Sequence, residues 1–399
     1  MNVSTSNVGA IALQWTAPGD DGNVGKASAY VVRINSVPID SSNWNSSVDV
    51  NGEPVPFNAG SVQTMNIYSD ISDTIYAAIK ALDEKGNVSS VSNSSGAETG
   101  FYLLSGFLKQ VPNMFGVDSA VVSFGTATAF SDSGYFELKV RSPGEKTFSV
   151  KKAGYYNYDK DMGVNGNTNI DVTQMIEQYT DPVTGEDLLS FFKFLTKLDT
   201  APVFDIRRWN NLPVSCWLNR TYLDTTGAYD IFEGGGAAYA DSVWKGFDSW
   251  NKAVQKAAEE MNIEPFEVFT EVDLNPETGG RMKYNYGPGA AYSSMIYENF
   301  LPKKGIVRLR GLPDYEPLEI ENVTRMVSHE TGHQLGFILH SSYSNHVMRP
   351  LSAHDPSDFE ARILIVMYKL ENNTFMPPYT MPSKSISMTN VPVFDIGKK

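Results

Sequence analysis

The spacing of apolar residues changes along the chain, and this change limits the folds that the chain can adopt. Up to about residue 180, apolar side chains alternate with polar ones, as in Ile11, Leu13 and Trp15. A period of two is typical of half-buried β-strands, so this part predicts β-sandwich structure. Further on, apolar residues such as Val243 and Phe247 recur at helical spacing. The remainder therefore predicts helices mixed with strands.

These patterns, with shifts in composition between them, divide the 399 residues into four segments. We predict a β-sandwich over 1–99, a second β-sandwich over 100–179 and a connector with a short helix over 180–204. A larger domain over 205–399 has the mixed pattern of an α/β (α+β) fold with a twisted mixed sheet. The expected fold class is thus two all-β sandwiches followed by one mixed domain.

Several elements are predicted individually. Strands are expected at 121–124, 135–140, 147–151, 214–218, 267–272, 281–286 and 305–310. Three longer helices are expected: one capped by Asp241, one that starts near Leu318, and a last one opened by the capping-box pair Ser357 and Glu360. The chain from about residue 370 is rich in proline and predicts an extended tail.

Charge and cysteine content exclude several classes of partner and site. The net charge of −14 repels phosphate backbones and anionic membrane surfaces, so nucleic acid is not expected as a partner. Cys216 is the only cysteine, which excludes an intrachain disulfide and a cysteine-based metal cluster. Its apolar surroundings predict a buried small side chain. No apolar run reaches the roughly 20 residues of a bilayer span, so we expect no membrane span. The first 25 residues contain no Lys or Arg and no apolar core flanked by charge, so we expect no signal peptide in this sequence.

All five histidines fall within 26 residues, from His329 to His354. Two of them, His329 and His333, belong to an HExxH motif. On a helix, residues four apart lie on one face, and two neutral imidazoles at that spacing suit zinc. Glu330 lies between them, and its carboxylate is available as a base toward a water at the metal. The motif therefore predicts a zinc site on a helix.

The residues that follow strengthen this prediction, because Gly336, His340 and Met348 continue the motif. The stretch resembles the metzincin zinc metallopeptidases, most closely their matrixin-like branch, in which HExxHxxGxxH precedes a methionine-containing turn beneath the metal. The resemblance implies a metzincin-like catalytic domain with an active-site helix and one catalytic Zn²⁺ ion. It implies these roles: His329, His333 and His340 as metal ligands, Glu330 as catalytic base and acid, and Met348 as the Met-turn residue.

One departure from the family pattern affects the third ligand. The family has two residues between the glycine and the third histidine, whereas three residues, 337–339, separate Gly336 from His340. In a continuous helix His340 would lie about 16 Å from His329, too far for one ion to bridge. We therefore expect the helix to end near Gly336, where glycine tolerates the left-handed conformation, and the turn to be one residue longer.

Other residues near the motif have more than one interpretation. His346 could line the substrate cleft or be a polar loop residue, and His354 is expected at a helix terminus rather than at a metal. Phe337 could shape a substrate pocket, with core packing as the default. A carboxylate ligand of the gluzincin kind, from Glu360 or Glu371, is the alternative for the third metal position.

The two β segments carry resemblances of their own. WTAPGDDGNVG from Trp15 and IYAAIKALDEKGNVSSVSN from Ile75 resemble fibronectin type III modules. SDSGYFELKVRSPGEKTFSVKKAGYYNY from Ser131 resembles the transthyretin-like sandwich called a carboxypeptidase regulatory-like domain. The pair Asp20 and Asp21 could bind structural Ca²⁺, although a solvated turn is favoured.

The resemblances together imply a secreted zinc endopeptidase that hydrolyses peptide bonds in a protein or peptide substrate. The substrate is expected to lie along an edge strand in the stretch before Gly305. The accessory modules imply an extracellular or cell-surface location, with a matrix or surface ligand for the β modules. Because the first strand pattern begins just after Met1, we expect a precursor with a removed signal. The alternative is an adhesion or glycan-binding protein with an inactive peptidase-like domain.

Overall fold

The computed structural model describes most of the chain, and the described part is mostly β-sheet with few helices. The described residues are 1–69, 71, 73–196, 208–209, 211–218, 235–272, 282–288, 292–298, 301–311, 320–349, 354–370 and 379–380. The chain divides into two compact units. The first unit comprises 1–108, 116–152 and 158–173, and the second comprises 109–115, 153–157 and 174–399.

The N-terminal part of the first unit consists of short antiparallel strands and one 3₁₀ turn at Trp44–Ser46. The strands are β1 (Asn2–Thr5), β2 (Ala10–Thr16), β3 (Ala29–Asn35), β4 (Val48–Val50), β5 (Val62–Tyr68), β6 (Thr74–Leu82) and β7 (Ser95–Glu98). They form two sheets, in the orders β1-β2-β5 and β4-β3-β6-β7. The alternation of apolar and polar residues explains why two sheets form, because each strand turns every second side chain toward the other sheet.

A buried cluster of apolar side chains joins these two sheets. Trp15 of β2 and Tyr30 of β3 meet edge to face, with ring centroids 5.3 Å apart. The Tyr30 hydroxyl donates to the Gln63 side-chain oxygen at 2.6 Å, so the polar end of this buried ring is satisfied. Asp20 and Asp21 lie in a turn in which both amides donate to the Val24 carbonyl.

The second group of strands pairs in the same antiparallel manner. The strands are β8 (Tyr102–Val111), β9 (Val121–Phe124), β10 (Ala127–Phe130), β11 (Tyr135–Val140), β12 (Gly144–Lys151), β13 (Asn157–Val164) and β14 (Thr168–Ile176). One sheet has the order β11-β8-β14, and in another β10, β9, β12 and β13 lie side by side in that order. The rings of Phe136 and Phe148, from different sheets, lie 5.7 Å apart, so both sheets contribute to one core.

The second unit contains the long helices and a mixed sheet. Its helices are α1 (Leu188–Leu195), α2 (Gly235–Glu260), α3 (Ile320–Gln334) and α4 (Asp358–Lys369). Its strands are β15 (Val214–Trp217), β16 (Phe269–Val272), β17 (Met282–Pro288), β18 (Tyr292–Glu298), β19 (Leu301–Gly311) and β20 (Tyr379–Thr380). The five-stranded sheet has the order β16-β15-β17-β19-β18. β18 runs antiparallel at one edge, and the other pairings are parallel.

Four sequence predictions concern the helices and the tail of this unit. The expected cap at Asp241 is wrong, because α2 begins at Gly235 and Asp241 lies inside the helix. Ala237, Ala238 and Ala240 precede Asp241 and have high helix propensity, which favours extension of the helix upstream of the cap candidate. Ser357 does cap α4, and the capping box with Glu360 is present. The expected start at Leu318 and most of the tail after residue 370 lie outside the described residues.

Candidate metal centre

Helix α3 carries the HExxH motif and crosses α2 at a short distance. A Cβ added at Gly246 of α2 would lie 2.6 Å from the Thr324 carbonyl oxygen, so only glycine permits this approach. The Trp250 indole N–H donates to the Ser328 carbonyl at 2.8 Å, and the hydroxyls of Ser249 and Ser328 lie 2.6 Å apart. These contacts hold the turn of α3 that leads directly into the first histidine.

Helix α3 ends just before Gly336. The Gly336 amide donates to the His333 carbonyl at 3.2 Å, and the Phe337 amide donates to the Gly332 carbonyl at 3.2 Å. This pair of bonds defines a Schellman C-cap. Gly336 has a φ of +114°, a conformation that favours glycine because it has no Cβ. The chain therefore leaves the helix axis one turn after the second histidine of the motif.

After the cap, the chain turns back toward the helix. The amides of Ile338 and Leu339 both donate to the Leu195 carbonyl at the C-terminal end of α1, at 2.7 and 2.9 Å. The amide that follows His340 donates to the Met348 carbonyl at 2.8 Å. The backbone around His340 is thus fixed on both sides. The extra residue is accommodated in a turn that α1 supports.

This path brings the three predicted ligands together. The rings of His329, His333 and His340 have centroids 5.0 Å apart in every pair. One ligand atom of each lies within 4.8 Å of the others. The Nε2 atoms of His333 and His340 are 3.2 Å apart. The structure therefore forms a three-histidine cluster, whereas a straight helix would have kept the third ring away.

Hydrogen bonds fix the orientation of two of the rings. They therefore determine which nitrogen of each ring faces the cluster. The His329 Nδ1–H donates to the Val347 carbonyl at 2.7 Å, and the His333 Nδ1–H donates to the Phe337 carbonyl at 2.5 Å. Because a carbonyl only accepts, these bonds place the proton on Nδ1 and leave a lone pair on Nε2. Such bonds orient histidine ligands in metal sites.

The donor atoms fit zinc. Bond lengths of about 2.0–2.1 Å place two nitrogen ligands of a tetrahedral zinc ion about 3.3 Å apart. The observed separation between His333 and His340 is 3.2 Å. Since the His333 Nε2 atom presents a lone pair at this distance, a cation between the rings satisfies both nitrogens. Imidazole is a preferred zinc ligand, and three of them leave one position open.

Burial shifts the pKa values of the three histidines and of Glu330. It lowers the pKa of His329 to about 4 and that of His333 to about 3, and it also lowers the pKa of His340. All three rings are therefore neutral near pH 7, the form that binds metal. Burial raises the pKa of Glu330 to about 7. A carboxyl group with that pKa exchanges a proton readily near neutral pH.

Met348 packs against helix α3 beside Gly332. Its side chain is fully buried. A Cβ added at Gly332 would collide with the Met348 sulfur and would lie 2.9 Å from the Trp250 ring. Because Gly332 directly precedes His333, Met348 contacts α3 in the turn between the two histidines of the motif. This contact requires glycine at the fourth position of the HExxH motif.

Glu360 anchors the loop that carries Met348. Its carboxylate is fully buried and accepts hydrogen bonds from the Met348 amide at 2.9 Å and the Val347 amide at 3.0 Å. Burial raises the pKa of this carboxyl group, and the backbone donors, including the Ser357 amide, act in the opposite direction. Val347 is also the acceptor for His329, so Glu360 supports the first histidine through the loop. It does not belong to the histidine cluster.

We predict that Glu360→Ala lowers the free energy of unfolding by about 2–4 kcal/mol. Each buried amide that loses its acceptor costs about 1–3 kcal/mol. Urea denaturation monitored by circular dichroism measures the change, and Glu264→Ala, at an exposed position, is the control. A loss below about 0.5 kcal/mol, the range of ordinary surface substitutions, would contradict the anchoring role.

The two other histidines lie outside the cluster. His346 is fully buried, with its Nδ1 atom 2.8 Å from the Ser341 hydroxyl and its ring 5.0 Å from Phe191. It is therefore a core residue of the loop, and the interpretation that it lines a cleft is wrong. His354 is exposed. Burial lowers the pKa of His346 to about 4, so this ring is also neutral at pH 7.

Other expected residues are placed as follows. Phe337 is fully buried against Trp250, at 5.6 Å between ring centroids, so it belongs to the core and does not line a pocket. Cys216 is buried, as predicted. The alternative ligand Glu371 lies outside the described residues. The sequence predicted the short helix in the connector, which the structure shows as α1, but it indicated neither the contact of α1 with the turn before His340 nor the anchoring role of Glu360.

Arg208 and Trp209 bind the C-terminal ends of helices α4 and α3, respectively. The Trp209 indole N–H donates to the Gln334 carbonyl, at the end of α3, at 2.8 Å. The Arg208 guanidinium donates to the carbonyls of Tyr368 and Leu370, at the end of α4. A cation and N–H donors at helix C-termini satisfy carbonyls that have no partner within the helix.

Comparison with known proteins gives partial matches. No protein-family model matches the chain. The chain is 34% identical over 90 residues to calcium-activated chloride channel regulator 4 of Homo sapiens, covering 21% of this chain and 10% of that protein. It is 32% identical over 101 residues to calcium-activated chloride channel regulator 1 of Mus musculus, covering 23% of this chain and 11% of that protein. The chain thus spans about a tenth of the length of these curated relatives.

Solved structures give weaker similarities. A cohesin–X-dockerin complex from Acetivibrio cellulolyticus has a TM-score of 0.19 at 19% identity, covering 24% of this chain and 73% of that chain. The group B streptococcus pilus 2b backbone protein has a TM-score of 0.19 at 11% identity, covering 43% of this chain and 95% of that chain. Similarities at this level carry no inference about function.

Among the described residues, no helix combines the length and the apolar character that crossing a bilayer requires.

Proposed function

We propose that this chain is a zinc-dependent endopeptidase of the matrixin-like metzincin type. The observation that carries the proposal is the convergence of His329, His333 and His340, with Glu330 buried on the same helix. Two of the rings are oriented by carbonyl acceptors, which is the support that zinc ligands have in proteins. A bound zinc ion would supply a Lewis acid that polarises a peptide carbonyl and makes water a stronger nucleophile.

Glu330 is the proposed proton carrier. With a pKa raised to about 7, its carboxylate accepts a proton from the attacking water and returns it to the leaving amide nitrogen. These two transfers produce a new carboxyl group and a new amine, so the same residue is the base and then the acid. Burial also keeps competing bulk water away from the carboxylate, which strengthens its interactions.

The mixed sheet supports the choice of an extended polypeptide as substrate. Strand β18 lies at an edge of the sheet, and edge strands offer backbone donors and acceptors to an added strand. In this proposal the substrate chain lies beside β18 and extends to the histidine cluster. Main-chain recognition of this kind suits an endopeptidase, because it requires no free terminus.

The remaining modules complete the proposal. The two sets of β-sheets in the first unit are proposed as fibronectin type III-like and transthyretin-like accessory modules, over 1–99 and 100–179. The peptidase domain is proposed over 205–399. We propose an extracellular or cell-surface location, at which the β modules bind a matrix or surface ligand and bring the peptidase to its substrate.

We predict that removal of metal abolishes hydrolysis and that zinc restores it. The purified protein should contain about one zinc ion per chain by elemental analysis. Cleavage of a fluorescently labelled unfolded protein should stop after chelation and return when Zn²⁺ is added. His354→Ala, which changes an exposed histidine outside the cluster, should retain both metal and activity. Absence of bound zinc, or cleavage that is insensitive to chelation, would favour the adhesion or glycan-binding alternative.

A further inference from the structure

The C-terminal end of α1 makes an unusual contact with the turn before His340. A single carbonyl, that of Leu195, accepts from two successive amides, Ile338 at 2.7 Å and Leu339 at 2.9 Å. Leu195 itself is fully buried. A helix end normally leaves carbonyls without intrahelical partners, and here the turn supplies the missing donors.

The three-residue turn explains why such support is needed. Its first residue, Phe337, is turned into the core against Trp250. The next two amides are bonded to α1, and the residue after the turn is His340. A longer connection has more conformations available to it, so a ligand at its end is ordered only if the turn itself is fixed.

Other contacts hold helix α1 at its N-terminal end and near its middle. Asp187 caps it by accepting from the Ser190 amide at 3.0 Å, and the Tyr156 hydroxyl donates to the same carboxylate at 2.6 Å. Near its middle, the ring of Phe191 lies 5.0 Å from the ring of His346 and 5.4 Å from that of Phe359. Phe191 thus packs between the loop that carries Met348 and helix α4.

We propose that α1 is a positioning element for the metal site: the Leu195 carbonyl and the Phe191 ring hold the turn and loop that place His340. The inference rests on the proposed zinc site and extends it. It assigns a role at the site to helix α1, which the sequence indicated only as a short helix within a connector. Phe191 and the amides of Ile338 and Leu339 are positioning groups, since none of them belongs to the histidine cluster.

The test removes these contacts singly and measures metal binding by the folded protein. Replacing Leu339 with its α-hydroxy acid turns the donor N–H into an ester oxygen and retains the side chain. Leu339 is chosen because an ester at 338 would also weaken the Phe337 carbonyl, which accepts from His333. The corresponding ester at Ile263, whose amide donates to the Ala258 carbonyl at 3.0 Å, provides the matched control. Phe191→Ala is matched by Phe269→Ala, a comparably buried ring on β16.

We expect the ester at 339 and Phe191→Ala each to weaken Zn²⁺ affinity by about 10–100-fold, as loss of an outer-shell partner does. Affinity is measured by competition with a chromophoric chelator, at a temperature where circular dichroism shows a folded chain. With Co²⁺, the visible absorption band of both variants should shift from that of the wild type. The Ile263 ester and Phe269→Ala should retain wild-type affinity and spectrum, although Phe269→Ala lowers the melting temperature.

Two results would overturn the inference, and each differs from a failure of the proposed function. If the test variants bind Zn²⁺ and Co²⁺ like their matched controls, α1 is only structural and the zinc site stands. If Phe269→Ala weakens metal binding as much as Phe191→Ala, the effect follows from stability and not from position. A wild-type protein that binds neither metal would instead contradict the zinc site itself.

Discussion

Glu330→Gln is expected to reduce hydrolysis of an unfolded protein by about 10²–10⁴-fold and to leave zinc content unchanged. Glutamine has the shape of glutamate but neither accepts nor releases a proton near pH 7. The three histidines that form the cluster are untouched by the change. The protein should be at least as stable as the wild type, because burial disfavours the carboxylate, as the pKa raised to about 7 indicates.

The measurement combines three quantities from one preparation: the cleavage rate, zinc per chain by elemental analysis, and the melting temperature. Glu264→Gln, which removes an exposed carboxylate of the same unit, is the matched control and should behave as wild type. Cleavage by Glu330→Gln at the wild-type rate would show that another group carries the proton. A parallel loss of zinc would show that Glu330 supports the metal and not the proton transfer.

The strands of the β segments were predictable because their alternation is strict. The predicted strands 121–124 and 135–140 have the bounds of β9 and β11. In β11, buried and exposed residues alternate without exception, from exposed Tyr135 to buried Val140. Local pattern suffices for such strands, because one face is buried and the other is in water.

Helix boundaries and edge elements depend more on tertiary context. Asp241 has the chemistry of a cap, yet the preceding residues already adopt helix in α2. β18 was expected only as an edge strand somewhere before Gly305, and the structure gives its bounds as Tyr292–Glu298. Propensity alone does not decide between two sites for a helix start when both are compatible with the chain.

The residues of the candidate site also fall into those that local sequence patterns predict and those that depend on tertiary contacts. The HExxH spacing indicates that His329 and His333 share a helix face, and the need for a break at Gly336 follows from helix geometry. The support from Leu195 and Glu360 could not be predicted, because hydrogen bonds between residues far apart in sequence leave no local pattern. Glu360 shows the difficulty, since its capping-box signal is local but its bonds to Val347 and Met348 are not.

His340→Ala is expected to lower zinc affinity by more than the roughly 100-fold that loss of an outer-shell partner costs, because it removes a donor atom from the ion. Two imidazoles from one helix would remain, and they do not complete a tetrahedral zinc site. Zinc at about 1,000 times its Kd stabilises a folded protein by about 4 kcal/mol. Added Zn²⁺ should therefore raise the melting temperature of the wild type but not that of the variant.

The experiment compares calorimetric melting with and without Zn²⁺ for the wild type, His340→Ala and His354→Ala. In chelator the three proteins should melt at similar temperatures, since the ring of His340 is only partly buried and His354 is exposed. In zinc, only His340→Ala should lack the increase. Retention of full zinc stabilisation by His340→Ala would identify a different third ligand, and the three-residue turn would then have no role in the metal site. Loss of stabilisation in this variant alone would instead show that a chain with one residue more than the matrixin-like spacing still completes the cluster through its turn on α1.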